Sequence, residues 1–285
     1  MGILFGLIAA LSNSLQNTFI GTAQRISPFA VNFLRFAVAI PVLAVLVGVF
    51  SRWQAPPAPF WVLLLGVSLP IEITLSYFYV KAFQHSAQSL VGPFFSLSAL
   101  FLIPLGYVVL GEALSLVGFL GVLSVLVGPF FLGVGGAGIH PFKIHRKLFR
   151  ERGLWYMIIA ALLASMTTTA AKFSYHYAPP LLFAFYLVAA LAVSMGLYLF
   201  MWQRISLRQM LEPSLLSSGV AYSFGTAFHF IGLSFLPAAY FVSVKRVSAI
   251  FDVFLGRIIQ GEEHFRQRMI GAILMVAGLV LIVFG

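Results

Sequence analysis

Apolar residues run along this chain in ten stretches of span length, separated by short polar breaks: 2–20, 30–50, 60–82, 88–110, 115–133, 153–173, 180–202, 213–235, 237–260 and 266–284. A helix of about 20 apolar residues crosses a hydrocarbon core roughly 30 Å thick. Lipid offers the backbone no hydrogen-bond partners, so a spanning segment must satisfy its own N–H and C=O groups. The strict alternation of barrel strands is absent. The pattern predicts an all-α membrane protein with ten transmembrane helices.

Polar residues inside the spans recur at i, i+4, i+7, which stacks them on one helix face. The third span has Glu72, Ser76 and Tyr79, and the eighth has Tyr222, Thr226 and His229. The ninth has Lys245 and Asp252, with Arg246 about 100° around the helix. Asn13, Gln16 and Asn17 stand in the first span, and Ser165, Thr167, Thr168, Thr169 and Lys172 in the sixth. Pro41, Pro70, Pro93, Pro104 and Pro129 fall inside spans and are expected to kink them.

Composition sharpens the picture. With 61% hydrophobic and 8% charged residues and a mean hydropathy of +1.03, the chain is neither a soluble globular domain nor a disordered one. The net charge of +10 sits mostly at span ends and in loops, which orients a membrane protein and does not call for nucleic acid. Residues Lys143 to Arg152 read as an anchor at anionic lipid headgroups. Trp53, Trp61, Trp155 and Trp202 fall near span ends, where interfacial belts form. There is no cysteine, which removes disulfides, thiol catalysis and cysteine–zinc sites. No nucleophile–base–orienter set or metal-ligand spacing shares a face, so no enzyme, cofactor or metal is expected. The first span lacks a basic leader and a small-residue cleavage site, and reads as a retained helix.

The chain also repeats itself. A shift of 150 residues places Gly111-Glu112 on Gly261-Glu262, Gly121 on Gly271 and Gly128 on Gly278; a shift of 151 places Gly2 on Gly153, Ser14 on Ser165 and Pro28 on Pro179. Two five-helix repeats follow, 1–133 and 153–285, joined by the basic linker 134–152. Five is odd, so the second repeat enters the membrane inverted. Inverted repeats commonly hold substrate near the midplane between the halves and support alternating access. Glu112 and Glu262 follow helix-ending glycines and are expected in the first turns of the fifth and tenth helices, complementing their dipoles.

On these features the sequence resembles the drug/metabolite transporter superfamily in its ten-helix, EamA-like form. The five-plus-five repeat carries the resemblance, with the Gly-Glu turns, Phe33-Leu34-Arg35-Phe36 opening the second helix, and the glycine-rich fifth and tenth helices. It implies a small-molecule transporter with a central cavity lined by helices 1, 3, 4, 6, 8 and 9. Fold analogy alone selects no substrate.

Basic residues mark sidedness. Arg25, Lys81, the linker cluster, Arg204, Arg208, Arg257, Arg266 and Arg268 lie on one side, against Arg52 and Lys172 on the other. The positive-inside rule puts the first group in the cytoplasm and both termini outside. The expected location is a bacterial plasma membrane.

At 1.5 Å per residue, Glu72, Tyr222, Lys245 and Arg246 come to one layer near the midplane. A charge at that depth costs at least about 2.5–3.5 kcal/mol and usually meets a partner or a watery path. Under the repeat Lys245 corresponds to Phe95 and Arg246 to Ser96, so the charges break the internal symmetry. Val244-Lys245-Arg246-Val247 is similar to the plastid triose-phosphate translocators, in which an adjacent Lys-Arg pair on the ninth helix binds substrate phosphate. Unlike that branch, the fourth span here has no lysine. A guanidinium offers bidentate donors to phosphate or carboxylate, and the adjacent ammonium adds a point charge. The expected cargo is therefore a small organic anion. Lys245 and Arg246 bind its charge, and Tyr222, His229, Asn13, Asn17, Thr168 and Tyr79 contact the rest. Glu72 and Asp252 compensate charge or carry a proton. With no ATP-binding loop, a proton gradient or counter-substrate drives transport, and a monomer is a plausible unit. Three alternatives stay open: Lys245 and Arg246 neutralised by Glu72 and Asp252 as a purely structural set, an exporter of amino acids or cationic drugs in which Glu72 binds cargo, and a handler of lipid phosphate.

Overall fold

The computed structural model describes residues 1–21, 27–85, 92–134, 151–202, 213–248, 250–251 and 265–284. Among the described residues every predicted span contains helix and none contains a strand. The helices are α1 (Gly2–Gly21), α2 (Pro28–Phe50), α3 (Ala58–Trp61), α4 (Leu69–His85), α5 (Leu97–Leu110), α6 (Leu116–Val134), α7 (Arg152–Ser174), α8 (Pro180–Trp202), α9 (Pro213–Leu233), α10 (Ala238–Arg246) and α11 (Phe265–Phe284). Four stretches are long and apolar enough to cross a membrane within the described residues: Phe29–Phe50, Ala58–Tyr79, Arg152–Ser174 and Pro180–Trp202. Large apolar side chains such as Val108, Leu116, Phe200 and Phe284 are exposed, as a lipid-facing surface requires.

The chain divides into two compact units. One comprises Met1–Pro70 and Ala170–Phe235, the other Ile71–Thr169 and Leu236–Gly285. Each unit draws on both sequence repeats.

In the first unit α1 packs on α9, and α2 packs on α8 and α9. Small residues bring these helices close, which is how helices associate where lipid removes the hydrophobic drive. A Cβ added at Gly219 would meet Val38 at 2.7 Å, and one at Gly225 would meet Ser12 at 3.1 Å and Asn13 Oδ1 at 3.4 Å. Between α3 and α4 the helix runs as a π segment, Val62–Ser68, in which Leu69 N–H reaches back to Leu64 O. Pro70 follows at once. It has no N–H to give the preceding turn, so the expected kink takes the form of a wider helical register.

In the second unit α6 packs on α11. A Cβ at Gly121 would lie 2.8 Å from Gly278 O, and one at Gly128 would lie 2.7 Å from Gly271 O. Ser124 Oγ donates to Leu274 O at 2.8 Å. The 150-residue shift exchanges the two glycine pairs and maps Ser124 onto Leu274. Contacts that exchange this way make α6 and α11 antiparallel around a pseudo-two-fold axis beside Ser124, as inverted repeats demand.

Two spans depart from one continuous helix. The fourth begins as a 3-10 segment, Gly92–Ser96, before α5. In the ninth, expected helical over 237–260, α10 ends at Arg246, with Val247 in a turn whose N–H bonds to Val244 O at 3.1 Å. Cations are favoured at a helix C-terminus, where the unsatisfied carbonyls carry partial negative charge, so the Lys-Arg pair suits a helix end better than a helix middle.

Candidate functional site: a Lys-Arg pair at a helix end

The second unit holds Lys245, Arg246, Glu72, Tyr79 and Thr168; the first holds Asn13, Tyr222 and His229. The side chain of Asn17 and the whole of Asp252 lie outside the described residues.

The Arg246 guanidinium is held on two sides. Its Nη2 donates to Ser98 Oγ at 2.6 Å, and its central carbon lies 4.3 Å from the centroid of the Phe95 ring. Phe95 in turn meets Tyr79 edge-on at 4.9 Å, and Tyr79 is within electrostatic reach of Arg246. The Nε of Arg246 is buried and makes no hydrogen bond. Lys245, half-buried beside it, lies within electrostatic reach of both Arg246 and Glu72. Two of the residues singled out from sequence, Lys245 and Tyr79, therefore stand near Arg246, and Glu72 stands near Lys245, while Phe95 and Ser98 complete the setting. Sequence reasoning passed over Phe95 as a site residue. Its signal was present, because Phe95 is the repeat counterpart of Lys245.

The Thr168 hydroxyl is donated within its own helix, to Ala164 O at 2.7 Å. Ser165, Thr167 and Thr169 do the same to Leu162, Ala164 and Ser165 carbonyls. Such back-bonding satisfies a buried hydroxyl within its own helix.

The N-terminal end of α10 is docked by the turn between α5 and α6. Helix α5 ends at Gly111, whose φ of 66° and ψ of 20° suit a residue without Cβ. Glu112 N–H then returns to Gly106 O at 3.0 Å. The Glu112 carboxylate accepts Ala238 N–H at 2.7 Å, satisfying one of the four donors that every helix start leaves open. This corrects the expectation that Glu112 opens the fifth helix: that helix starts at Leu116, and the carboxylate serves α10 instead. Tyr240 adds a second tie, its hydroxyl accepting Ser115 N–H at 3.2 Å. Gly118 leaves room for that ring, since a Cβ there would overlap it. The hairpin α5–α6 therefore holds α10 at both ends, through Glu112 and Ser115 at its start and Ser98 at its finish.

In the first unit the ring of Tyr222 meets Phe36 at 5.4 Å and the Arg35 guanidinium at 4.7 Å. His229 packs edge-on against Phe230 at 5.0 Å. Asn13 is half-buried on α1 beside Gly225.

Apolar spanning helices, an internal repeat and half-buried cations at an interrupted helix define a multi-pass integral membrane protein of the transporter class. The sequence pattern of the EamA-like transporter family matches residues 1–134 and 151–284, and the chain belongs to that family, within the drug/metabolite transporter superfamily. It is not an enzyme. An uncharacterized transporter from the cobO 3' region of Sinorhizobium sp. is 31% identical over 136 residues, 46% of this chain and 94% of that relative. A solved crystal structure shares the fold with a TM-score of 0.80 at 17% identity, covering 99% of this chain and 96% of that one.

Proposed function

We propose that the protein is a secondary transporter for a small organic anion bearing a phosphate or carboxylate, with Lys245 and Arg246 contacting the anionic group. The observation that carries this reading is the setting of Arg246. Ser98 and Phe95 fix its guanidinium plane without neutralising it, and its buried Nε keeps a donor uncommitted. Lys245 adds a second charge on a flexible stem, which suits a phosphate carrying more than one negative charge. Glu72 compensates charge near Lys245 when cargo is absent, or carries a proton.

Transport proceeds by alternating access of the two repeats, which span 1–133 and 153–285 with 134–152 as linker. Crossing empty would carry two adjacent cations through a medium of low dielectric without the charge of the cargo beside them. An anion on each leg removes that cost and favours exchange. Tyr79, in the same unit as the Lys-Arg pair, supplies a further polar contact to cargo.

The test is a thermal-shift screen of the purified full-length protein against phosphorylated and carboxylated metabolites, followed by exchange assays in proteoliposomes. Anions are expected to stabilise the protein, and Lys245→Ala to abolish both stabilisation and exchange. Stabilisation by amino acids or organic cations alone, lost in Glu72→Gln, would overturn the anion reading in favour of cation export.

A further inference from the structure

We infer that the end of α4 and the start of α7 form a binding site for the headgroup phosphate of an anionic phospholipid, with Lys81, His85 and Arg152 as its cations. The site lies wholly within the second unit and is independent of the Lys245–Arg246 reading.

Ala82 and Met157, both fully buried, pack together where α4 ends and α7 begins, with Tyr156 against them. The His85 ring meets Tyr156 edge-on at 5.3 Å, and Phe78 meets Tyr156 at 5.8 Å. His85 Nδ1 lies 2.9 Å from Lys81 O. A carbonyl only accepts, so Nδ1 is the donor there and Nε2 is the nitrogen that can serve a ligand. As an imidazolium, His85 gives a phosphate oxygen a charge-assisted bond. The Lys81 ammonium stands one turn back along α4, 5.8 Å from the Tyr77 ring centroid. Arg152 is exposed one turn before Tyr156 on α7. Glu151 precedes it, and Lys81 and Arg152 together outweigh that single acid.

Below Arg152 the surface turns apolar. Trp155, Ile159, Leu162 and Met166 are all exposed. They follow Arg152 at i+3, i+7, i+10 and i+14, a single stripe on a helix of 3.6 residues per turn. A phosphate at Arg152 with an acyl chain along that stripe is the shape of a bilayer lipid, whereas a water-soluble phosphate has no use for the stripe. Basic and aromatic side chains at a span end are where anionic headgroups are drawn.

The packing does not require the polar groups. The same three-ring cluster recurs in the first unit, where Phe5 meets Phe228 and Phe235, each at 5.8 Å. The 150-residue shift carries Phe78 onto Phe228, Lys81 onto Ile231 and His85 onto Phe235, and the 151-residue shift carries Phe5 onto Tyr156. One copy is apolar throughout, and the other builds the same cluster with a lysine, an imidazole and a phenol. By the order of the spans, the polar copy falls on the side that the basic residues mark. Orienting the chain asks only for charge in the loops. It does not ask for an imidazole and a phenol built into a ring cluster.

The experiment titrates the full-length protein in detergent with phosphatidylglycerol and phosphatidylcholine of matched acyl chains, and reads bound lipid by native mass spectrometry. No cargo enters the readout, so the result stands apart from the transport reading. Wild-type protein is expected to hold one phosphatidylglycerol at least about tenfold more tightly than phosphatidylcholine, equivalent to about 1.4 kcal/mol. Lys81→Ile/His85→Phe/Arg152→Gln should hold the two lipids equally. Its first two changes copy the apolar cluster, which keeps the packing. Arg152→Gln alone, a change to an exposed side chain, should lose part of the preference. Arg204→Gln/Arg208→Gln removes two other cations that the sequence puts on the same side, and should keep all of it. The inference is overturned if wild-type protein shows no preference, or if the triple variant or Arg152→Gln keeps it in full. An equal loss in Arg204→Gln/Arg208→Gln would overturn it by making the attraction a property of total charge. Displacement of the lipid by excess inorganic phosphate would overturn it in favour of a free-phosphate site.

Discussion

Removing the Glu112 carboxylate should release the helix that presents Lys245 and Arg246. Helix α10 has nine residues, shorter than an isolated helix needs to hold itself together in water. Its order therefore depends on what grips its ends. Glu112 accepts Ala238 N–H at 2.7 Å across 126 residues of chain. A hydrogen bond to a charged group contributes about 1.5–3 kcal/mol, and a carboxylate at a helix start roughly 0.3–1 kcal/mol. The two overlap in one contact, so Glu112→Ala should cost about 2 kcal/mol. That is roughly a thirtyfold change in the ratio of docked to undocked helix.

Glu112→Gln separates charge from geometry. Its amide oxygen can still accept the bond, and a neutral pair retains about 1 kcal/mol. The direct assay is amide hydrogen exchange over residues 238–246 in nanodiscs, which reads local opening whatever the cargo. Glu112→Ala should lose most of the protection at the start of α10, and Glu112→Gln about half of that free energy. Wild-type protection in Glu112→Ala would refute the docking argument. Equal loss of exchange activity in both variants, with protection intact in Glu112→Gln, would give the carboxylate a chemical role in place of an anchoring one.

Three further outcomes follow from other contacts. Ser98→Ala removes the acceptor of Arg246 Nη2, and should raise KM for the anion by roughly tenfold at little cost to Vmax, because a lost charge-assisted bond is worth about 1.5–3 kcal/mol; an unchanged KM in proteoliposome exchange would argue that Ser98 does not orient Arg246. Gly121→Ala drives a methyl against the backbone of Gly278 at 2.8 Å, and should lower stability by about 1–3 kcal/mol, read as earlier thermal unfolding in nanodiscs, whereas Gly66→Ala, with open space around it, should not. A reporter fused to Gly285 that fluoresces only in the cytoplasm should stay dark if the positive-inside count holds, and a bright fusion would invert the assigned sidedness.

The ten spans were legible because bilayer thickness fixes their length and because lipid leaves the backbone no choice but helix. The repeat register was equally legible, and Gly121, Gly128, Gly271 and Gly278 meet along the seam it implies. The end of α10 was not. An apolar run from Pro237 to Gln260 looks the same to a hydropathy count whether or not a turn interrupts it. The partner of Glu112 was hidden for another reason: the Gly-Glu signature fixes the local turn, but the N–H it serves lies far off in sequence at Ala238. Arg35 was visible only as part of a family signature, since its contact with Tyr222 on α9 is tertiary.

The break in α10 has a counterpart that bears on how the site arose. The 3-10 segment of the fourth span ends at Ser96, and the 150-residue shift carries Ser96 onto Arg246, where α10 ends. The irregularity thus belongs to the repeat, and only one copy carries charge there. The neutral copy has a different use: its Phe95 and Ser98 grip Arg246. Identical repeats would put a lysine in place of Phe95 and an arginine in place of Ser96, so each guanidinium would lose its ring contact and meet a second Lys-Arg pair, although Ser98 would remain a serine like its counterpart Ser248. Like charges crowded at low dielectric repel by several kcal/mol. Fusion of two repeats in one chain removes that constraint, so that one copy can become the cation and the other its holder. The asymmetry around Arg246 is therefore what a single binding position on a two-fold scaffold requires.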